Sequence, residues 1–348
     1  FMGAGPATDA FFYAYAIIFA LQNIFAHIFE SALVPFVVER QNDPKKAAAF
    51  TLQVFKIGFL IMVLMSFGVA LILPFLLNLK SSVPLQTAQL ISRLYWEMLP
   101  GLLIAALISA YQGFFYAHKN FWFPSVSPLF RTILMAVSFI FGRTWLGIHA
   151  LTLGFTAGEI LRWGAAHWVL SRGAGFKFSE RPEDSRKVLE FFRQAAFQFL
   201  ALVAINIIPL ADQGAAVPLG PGNLSLFNYA DRLMQVPYLL FFYGFTQVFL
   251  SFWSESHAKE IFPLFFQKVQ KDMRIVFAGA SALVFMLWFL SNPLMHFIFG
   301  HSNLTEEQLT RLADIFRWLV LGFVPGILRV LYGRVLMIIR KSKFYFFQ

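Results

Sequence analysis

The chain has 348 residues, of which 58% are hydrophobic and only 13% charged, with 45 Phe and no Cys. Soluble domains carry about 25% charged residues, so a globule of this size could not cover its exterior with polar groups. A soluble enzyme, a disordered chain and a disulfide scaffold are thereby excluded, and a polytopic membrane protein remains. The net charge of +10 has to be sorted by membrane side first, and it is not a nucleic-acid signal.

Taken in chain order, nine stretches are long and apolar enough to cross a ~30 Å hydrocarbon core as helices. They lie at about 10–37, 50–78, 94–117, 122–142, 148–171, 191–212, 225–253, 274–299 and 311–338. The connecting segments alternate in charge. One set holds Arg40, Lys45, Lys46, Lys119, Arg172, Lys177, Arg181, Arg186, Lys187, Lys259, Lys268, Lys271, Arg274, Arg340, Lys341 and Lys343, sixteen basic residues in all. The opposite set holds four: Lys80, Arg93, Arg143 and Arg311. Basic loops stay in the cytoplasm, so the first helix is expected to start outside and the last residues to lie inside. The same charges make a contact surface for anionic membrane lipids.

The two halves echo each other at an offset of about 220 residues. Thr8-Asp9 is matched by Ala230-Asp231, Pro74 by Pro293, and Gln89-Leu90 with Arg93-Leu94 by Gln308-Leu309 with Arg311-Leu312. Leu99-Pro100-Gly101 is matched by Val324-Pro325-Gly326. The offset spans an even number of helices, so the repeat is parallel, with an axis along the membrane normal. The expected architecture is all-α, with two parallel-repeat lobes around a central cavity. The N-terminal lobe is expected at 1–172, a cytoplasmic linker at 173–190, and the C-terminal lobe at 191–348. A Gly/Pro loop precedes both the Asp9 and the Asp231 helices, but only the second has a helix before it. The chain therefore reads as an internal fragment, lacking the first helix of one lobe and the last helices of the other.

Ionisable groups inside apolar helices cost roughly 2.5–3.5 kcal/mol each at mid-membrane on insertion scales, so they tend to face a cavity or a partner. Glu30, Lys56, Glu97, Arg131, Glu159, Arg162, Arg193 and Arg232 are of this kind. Glu159 and Arg162, three apart, suit a self-satisfied pair between helices. Lys56 is close enough to a cytoplasmic loop to snorkel. Glu97 and Arg131 sit near helix ends, where they suit interfacial anchors or a role in transport. Gln22, Asn23, His27 and Glu30 form a polar stripe on one helix, suited either to a cavity or to interhelical hydrogen bonds. Two potential ligands, His27 and Glu30, do not make a metal site. Asp9 and Asp231 suit helix-start carboxylates, and Arg232 beside Asp231 suits a plain ion pair at the outer boundary.

Several strings resemble the MurJ (MviN) lipid II flippases. Gly3-Ala4-Gly5-Pro6-Ala7-Thr8-Asp9-Ala10-Phe11-Phe12 is similar to the start of that family's second helix, and Val34-Pro35 to its end. Leu99-Pro100, Gly113, Pro124 and Pro128 are similar to its fourth and fifth helices. Asn228-Tyr229-Ala230-Asp231-Arg232-Leu233-Met234-Gln235-Val236-Pro237 is similar to the signature of its eighth. The resemblance implies flipping of a polyprenyl-pyrophosphate-linked sugar, lipid II, by alternating access in the bacterial inner membrane. It also implies substrate contact at Arg232, and an adjacent Arg pair where this chain has Gln22 and Asn23. The candidate substrate-binding residues are thus Arg232, Asn23, Gln22, Glu30, Lys56, Asp9 and Asp231, with no catalytic residue, metal or cofactor expected.

No phosphate loop, His-Glu-x-x-His or Gly-x-Ser-x-Gly string is present, so any pumping would draw on an ion gradient or the membrane potential. A monomer acting on a lipid-linked oligosaccharide is the expected form. Two alternatives stand beside it: a polysaccharide-unit or drug exporter of the same superfamily, and a transport-inactive paralogue acting as a membrane scaffold.

Overall fold

The computed structural model describes residues 3–39, 43–79, 84–117, 120–173, 185–241, 249, 252–253 and 262–338. These are almost wholly helical: α1 (Pro6–Val38), α2 (Pro44–Leu79), α3 (Leu85–Ala117), α4 (Trp122–Val126), α5 (Pro128–Leu146), α6 (His149–Gly173) and α7 (Ser185–Ala216) come first. A 3-10 turn (Val217–Leu219) leads to α8 (Asn223–Phe241), α9 (Phe262–Phe299), α10 (Glu306–Leu321) and α11 (Phe323–Ile338). Among the described residues, seven helices are long and apolar enough to cross a membrane.

Most of the expected stretches recur with longer ends. The 94–117 stretch begins nine residues earlier, at Leu85, and the 274–299 stretch begins at Phe262, because amphipathic turns continue each span into the polar boundary. The 122–142 stretch is broken at Ser127-Pro128, where proline suits the first turn of a new helix. The 311–338 stretch is divided at Gly322, and it starts earlier on a capping box. There the Thr305 hydroxyl accepts from the Gln308 N–H at 3.2 Å, while Gln308 Oε1 accepts from the Thr305 N–H at 3.1 Å. The 225–253 stretch is described as α8 to Phe241; residues 242–248, 250 and 251 lie outside the described residues. The 148–171 stretch is α6, which is helical throughout but is not among the seven, since it carries His149, Glu159, Arg162 and His167.

Two compact units emerge, residues 6–221 and residues 222–348 joined by residues 1–5. In the first, α1 packs on α3 and α7, α3 on α2 and α6, and α5 on α6. The α7 helix, placed at the start of the C-terminal lobe by sequence, groups with this unit through Phe191, whose ring meets Phe29, Phe36 and Phe50. Lipid tails are as apolar as these rings, so the gain comes from close packing and ring geometry, about 0.5–1.5 kcal/mol per pair. Tyr95 adds a buried hydrogen bond from α3 to the Ser66 carbonyl of α2, at 2.9 Å.

In the second unit α8 packs on α10, and α10 on α9, the same order of neighbours as α1, α3 and α2. Pro74 and Pro293 lie inside the corresponding α2 and α9. Its core gathers Leu226, Met234, Phe316, Phe323 and Ile327. Large apolar side chains such as Leu71, Phe75, Phe285 and Phe297 are exposed, as surfaces meeting lipid require.

Candidate functional site

In the unit of residues 6–221, the densest polar feature joins α1, α5 and α6. Arg131, one turn into α5, donates through Nη1 to Gln22 Oε1 at 2.8 Å and to Glu159 Oε1 at 3.1 Å. Arg162, one turn beyond Glu159 on α6, donates through Nη1 to Glu159 Oε2 at 3.4 Å and through Nε to Ser127 Oγ at 3.0 Å. Glu159 has no exposed surface, and the Arg131 and Arg162 side chains keep 12% and 5%. Each Glu159 oxygen thus takes one guanidinium. The Arg131 guanidinium also stands 6.0 Å from the Phe19 ring centre and 5.8 Å from that of Phe155, within cation–π range.

Two glycines bring these groups together. A Cβ on Gly158 would lie 2.5 Å from Arg131 Cα, and one on Gly154 would lie 2.7 Å from Met135 Cα. The Gly154-x-x-x-Gly158 face of α6 therefore seats the α5 backbone directly, which is how small residues pack helices in lipid.

This arrangement changes three readings made from sequence. Arg131 is no interfacial anchor; it turns inward to α1 and α6 because Gln22 and Glu159 offer it oxygens. Glu159 and Arg162 are not a closed pair, since Arg131 shares the carboxylate. The stripe on α1 divides: Gln22 is buried, Asn23 half-buried and His27 exposed, while the side chain of Glu30 lies outside the described residues. Glu97 ties α3 to α6. Its Oε2 lies 2.8 Å from His149 Nδ1 and 2.7 Å from Thr152 Oγ1, and its Oε1 accepts from Arg93 Nε at 3.3 Å. Lys56 on α2 and Arg193 on α7 are exposed. Asp9 is buried in the first turn of α1.

In the unit of residues 222–348, Arg232 is on the exposed face of α8 and Asp231 is half-buried. Asp231 Oδ2 accepts from Gln235 Nε2 at 2.7 Å, one turn on. Next to Gln235 is a groove of about 410 Å³ lined by Gln235, Tyr238, Leu239, Gly326 and Arg329. Tyr238 donates to the Gly322 carbonyl at 2.9 Å, and its hydroxyl fills the space a Cβ on Gly326 would need. Arg329 was not among the sequence candidates, although it too is an ionisable group inside an apolar helix. The partners of Glu97, His149 and Thr152, come from a distant turn and carry no local signal.

A family model described as "Lipid II flippase MurJ" matches residues 1–339. The chain belongs to the MurJ lipid II flippase family. It is 24% identical over 323 residues to the probable lipid II flippase MurJ of Thermotoga maritima, covering 92% of this chain and 64% of that relative. It is 24% identical over 344 residues to the lipid II flippase MurJ of Burkholderia cenocepacia, covering 94% and 66%. The chain thus spans somewhat under two thirds of the length of these relatives. Its fold is similar to a lipid II flippase MurJ in an inward closed conformation, with a TM-score of 0.81, 20% identity and coverage of 99% and 72%. It is also similar to an inward-facing multidrug resistance MATE family transporter of the MOP superfamily, with a TM-score of 0.82, 13% identity and coverage of 97% and 78%. The two likenesses establish a MurJ- and MATE-like transporter fold. Within the family, Gln22 and Asn23 stand where the resemblance implies an arginine pair, and Gln22 receives a guanidinium from α5 instead.

Proposed function

We propose that this chain is the greater part of a flippase that moves lipid II, a polyprenyl-pyrophosphate-linked peptidoglycan precursor, across the bacterial inner membrane by alternating access. What carries the reading is Arg232, which sits on the exposed face of α8 within the Tyr229-Ala230-Asp231-Arg232 string of a chain matched to the family over residues 1–339. A guanidinium suits a pyrophosphate because its planar fork donates two parallel hydrogen bonds to anionic oxygens. The transporter works as a monomer. An inside-negative potential favours outward movement of an anionic headgroup by ~2.3 kcal/mol per charge per 100 mV. Asn23, Asp9, Asp231, Glu30 and Lys56 take supporting places, the two aspartates as helix-start carboxylates.

The test uses the full-length gene in cells depleted of their own flippase, with lipid-linked sugar exposed on the outer leaflet as readout. Wild type should rescue. Arg232→Ala should lower flipping about tenfold to a hundredfold, in line with ~1.5–3 kcal/mol for a charged hydrogen bond. Arg232→Lys should fall between, because it keeps the charge and loses the fork. Equal rescue by wild type and Arg232→Ala removes this residue from the mechanism. One observation favours a second reading, a transport-inactive scaffold: the amides at Gln22 and Asn23. Failure of wild type to rescue, with the protein folded in the membrane, would favour it.

A further inference from the structure

We propose that Arg131 is a second guanidinium contact for the phosphate oxygens of the transported lipid, presented by α5 and held ready by Gln22 and Glu159. This rests on the lipid-linked pyrophosphate reading above. Arg131 uses a single nitrogen for both of its hydrogen bonds, Nη1 to Gln22 at 2.8 Å and to Glu159 at 3.1 Å. Its Nε and Nη2 groups make no hydrogen bond to the described residues, and the side chain keeps 12% exposure. An arginine serving only to neutralise Glu159 would turn its fork onto both carboxylate oxygens. Here the second oxygen is occupied by Arg162 at 3.4 Å, and the Arg131 fork is left facing elsewhere.

Three features suit that fork to a ligand. The Phe19 and Phe155 rings flank the guanidinium, and Phe19 is itself 41% exposed, so one wall of the site is open. Apolar walls lower the local dielectric and strengthen attraction to an anion. The arginine is already immobilised, through Gln22, Glu159 and the α5 backbone seated on Gly158, so little rotamer freedom remains to be lost on binding. The three N–H donors of Nε and Nη2 match the oxygens of a phosphate, the chemistry of the pyrophosphate link.

The experiment measures equilibrium binding to the full-length protein in nanodiscs, with lipid II, the corresponding neutral polyprenol, and inorganic pyrophosphate as probes. Arg131→Gln should weaken lipid II binding at least tenfold and leave the polyprenol unchanged. Inorganic pyrophosphate should compete with lipid II on wild type and lose that competition in Arg131→Gln. The double variant Gln22→Arg/Arg131→Gln returns a guanidinium to the same hydrogen bond from the α1 side, and should regain most of the affinity. Equal lipid II affinity in wild type and Arg131→Gln overturns the proposal. So does an equal loss for lipid II and for the neutral polyprenol, which would mark Arg131 as helix glue. Absence of lipid II binding by the folded wild type would instead overturn the substrate reading on which the proposal rests.

Discussion

At the scale of single residues, Glu159 is the group on which the polar interior of residues 6–221 depends. It has no exposed surface and holds Arg131 at 3.1 Å and Arg162 at 3.4 Å. Removing one member of a buried ion pair leaves the others charged without compensation, which costs about 3–5 kcal/mol. Glu159→Gln keeps the shape and removes the charge, so it should destabilise by about 3 kcal/mol, toward the lower end of that range. Thermal unfolding in detergent would read this as a large drop in midpoint, and an unchanged midpoint would contradict it. Arg131→Gln, by contrast, leaves Glu159 paired with Arg162, and should lower stability less than Glu159→Gln does.

At the scale of helices, the contact between α5 and α6 turns on two positions without side chains. Gly158→Ala would place a methyl 2.5 Å from Arg131 Cα, a backbone atom that cannot swing aside. Overpacking of this kind costs typically 1–3 kcal/mol. It should also shift Arg131, so lipid II affinity should fall together with stability. Gly164→Ala on the same helix makes the control. Among the described residues, no other helix and no side chain beyond its chain neighbours comes within 4 Å of its would-be Cβ, and alanine is favoured over glycine by ~1 kcal/mol within a helix. It should raise the unfolding midpoint slightly and leave binding alone. The spans themselves were legible in the sequence, because a ~30 Å apolar run is a strong signal that does not depend on tertiary partners. Their divisions at Ser127 and Gly322, and the extra turns before Arg93 and Arg274, were less so, since amphipathic turns lack the hydropathy of a span. The candidate site was legible as a list of charges and not as a network. That Arg131 reaches Gln22, 109 residues away in the chain, is decided by the backbone approach at Gly158, and Gly154-x-x-x-Gly158 announces a close contact without naming its partner.

At the scale of the whole chain, the sixteen-to-four asymmetry of basic residues sets an orientation that the absence of native cysteine makes simple to test. A cysteine at Trp145, whose side chain is 90% exposed, should react in intact cells with an impermeant maleimide. A cysteine at exposed Lys46 should react only after permeabilisation. The reverse pattern would invert the assignment. The short segment ahead of α1 belongs to the unit of residues 222–348: Tyr229 donates to the Gly3 carbonyl at 3.2 Å, and Gln308 donates to the Ala4 carbonyl at 3.2 Å. The chain leaves that unit at Gly5–Pro6 and re-enters it at Pro221–Gly222. These two exits start side by side, since a Cβ on Gly222 would stand 3.1 Å from the Ala4 oxygen. Residues 3 and 4 thus clasp the starts of α8 and α10 from more than two hundred residues away in the chain, as a staple holds two sheets at one corner.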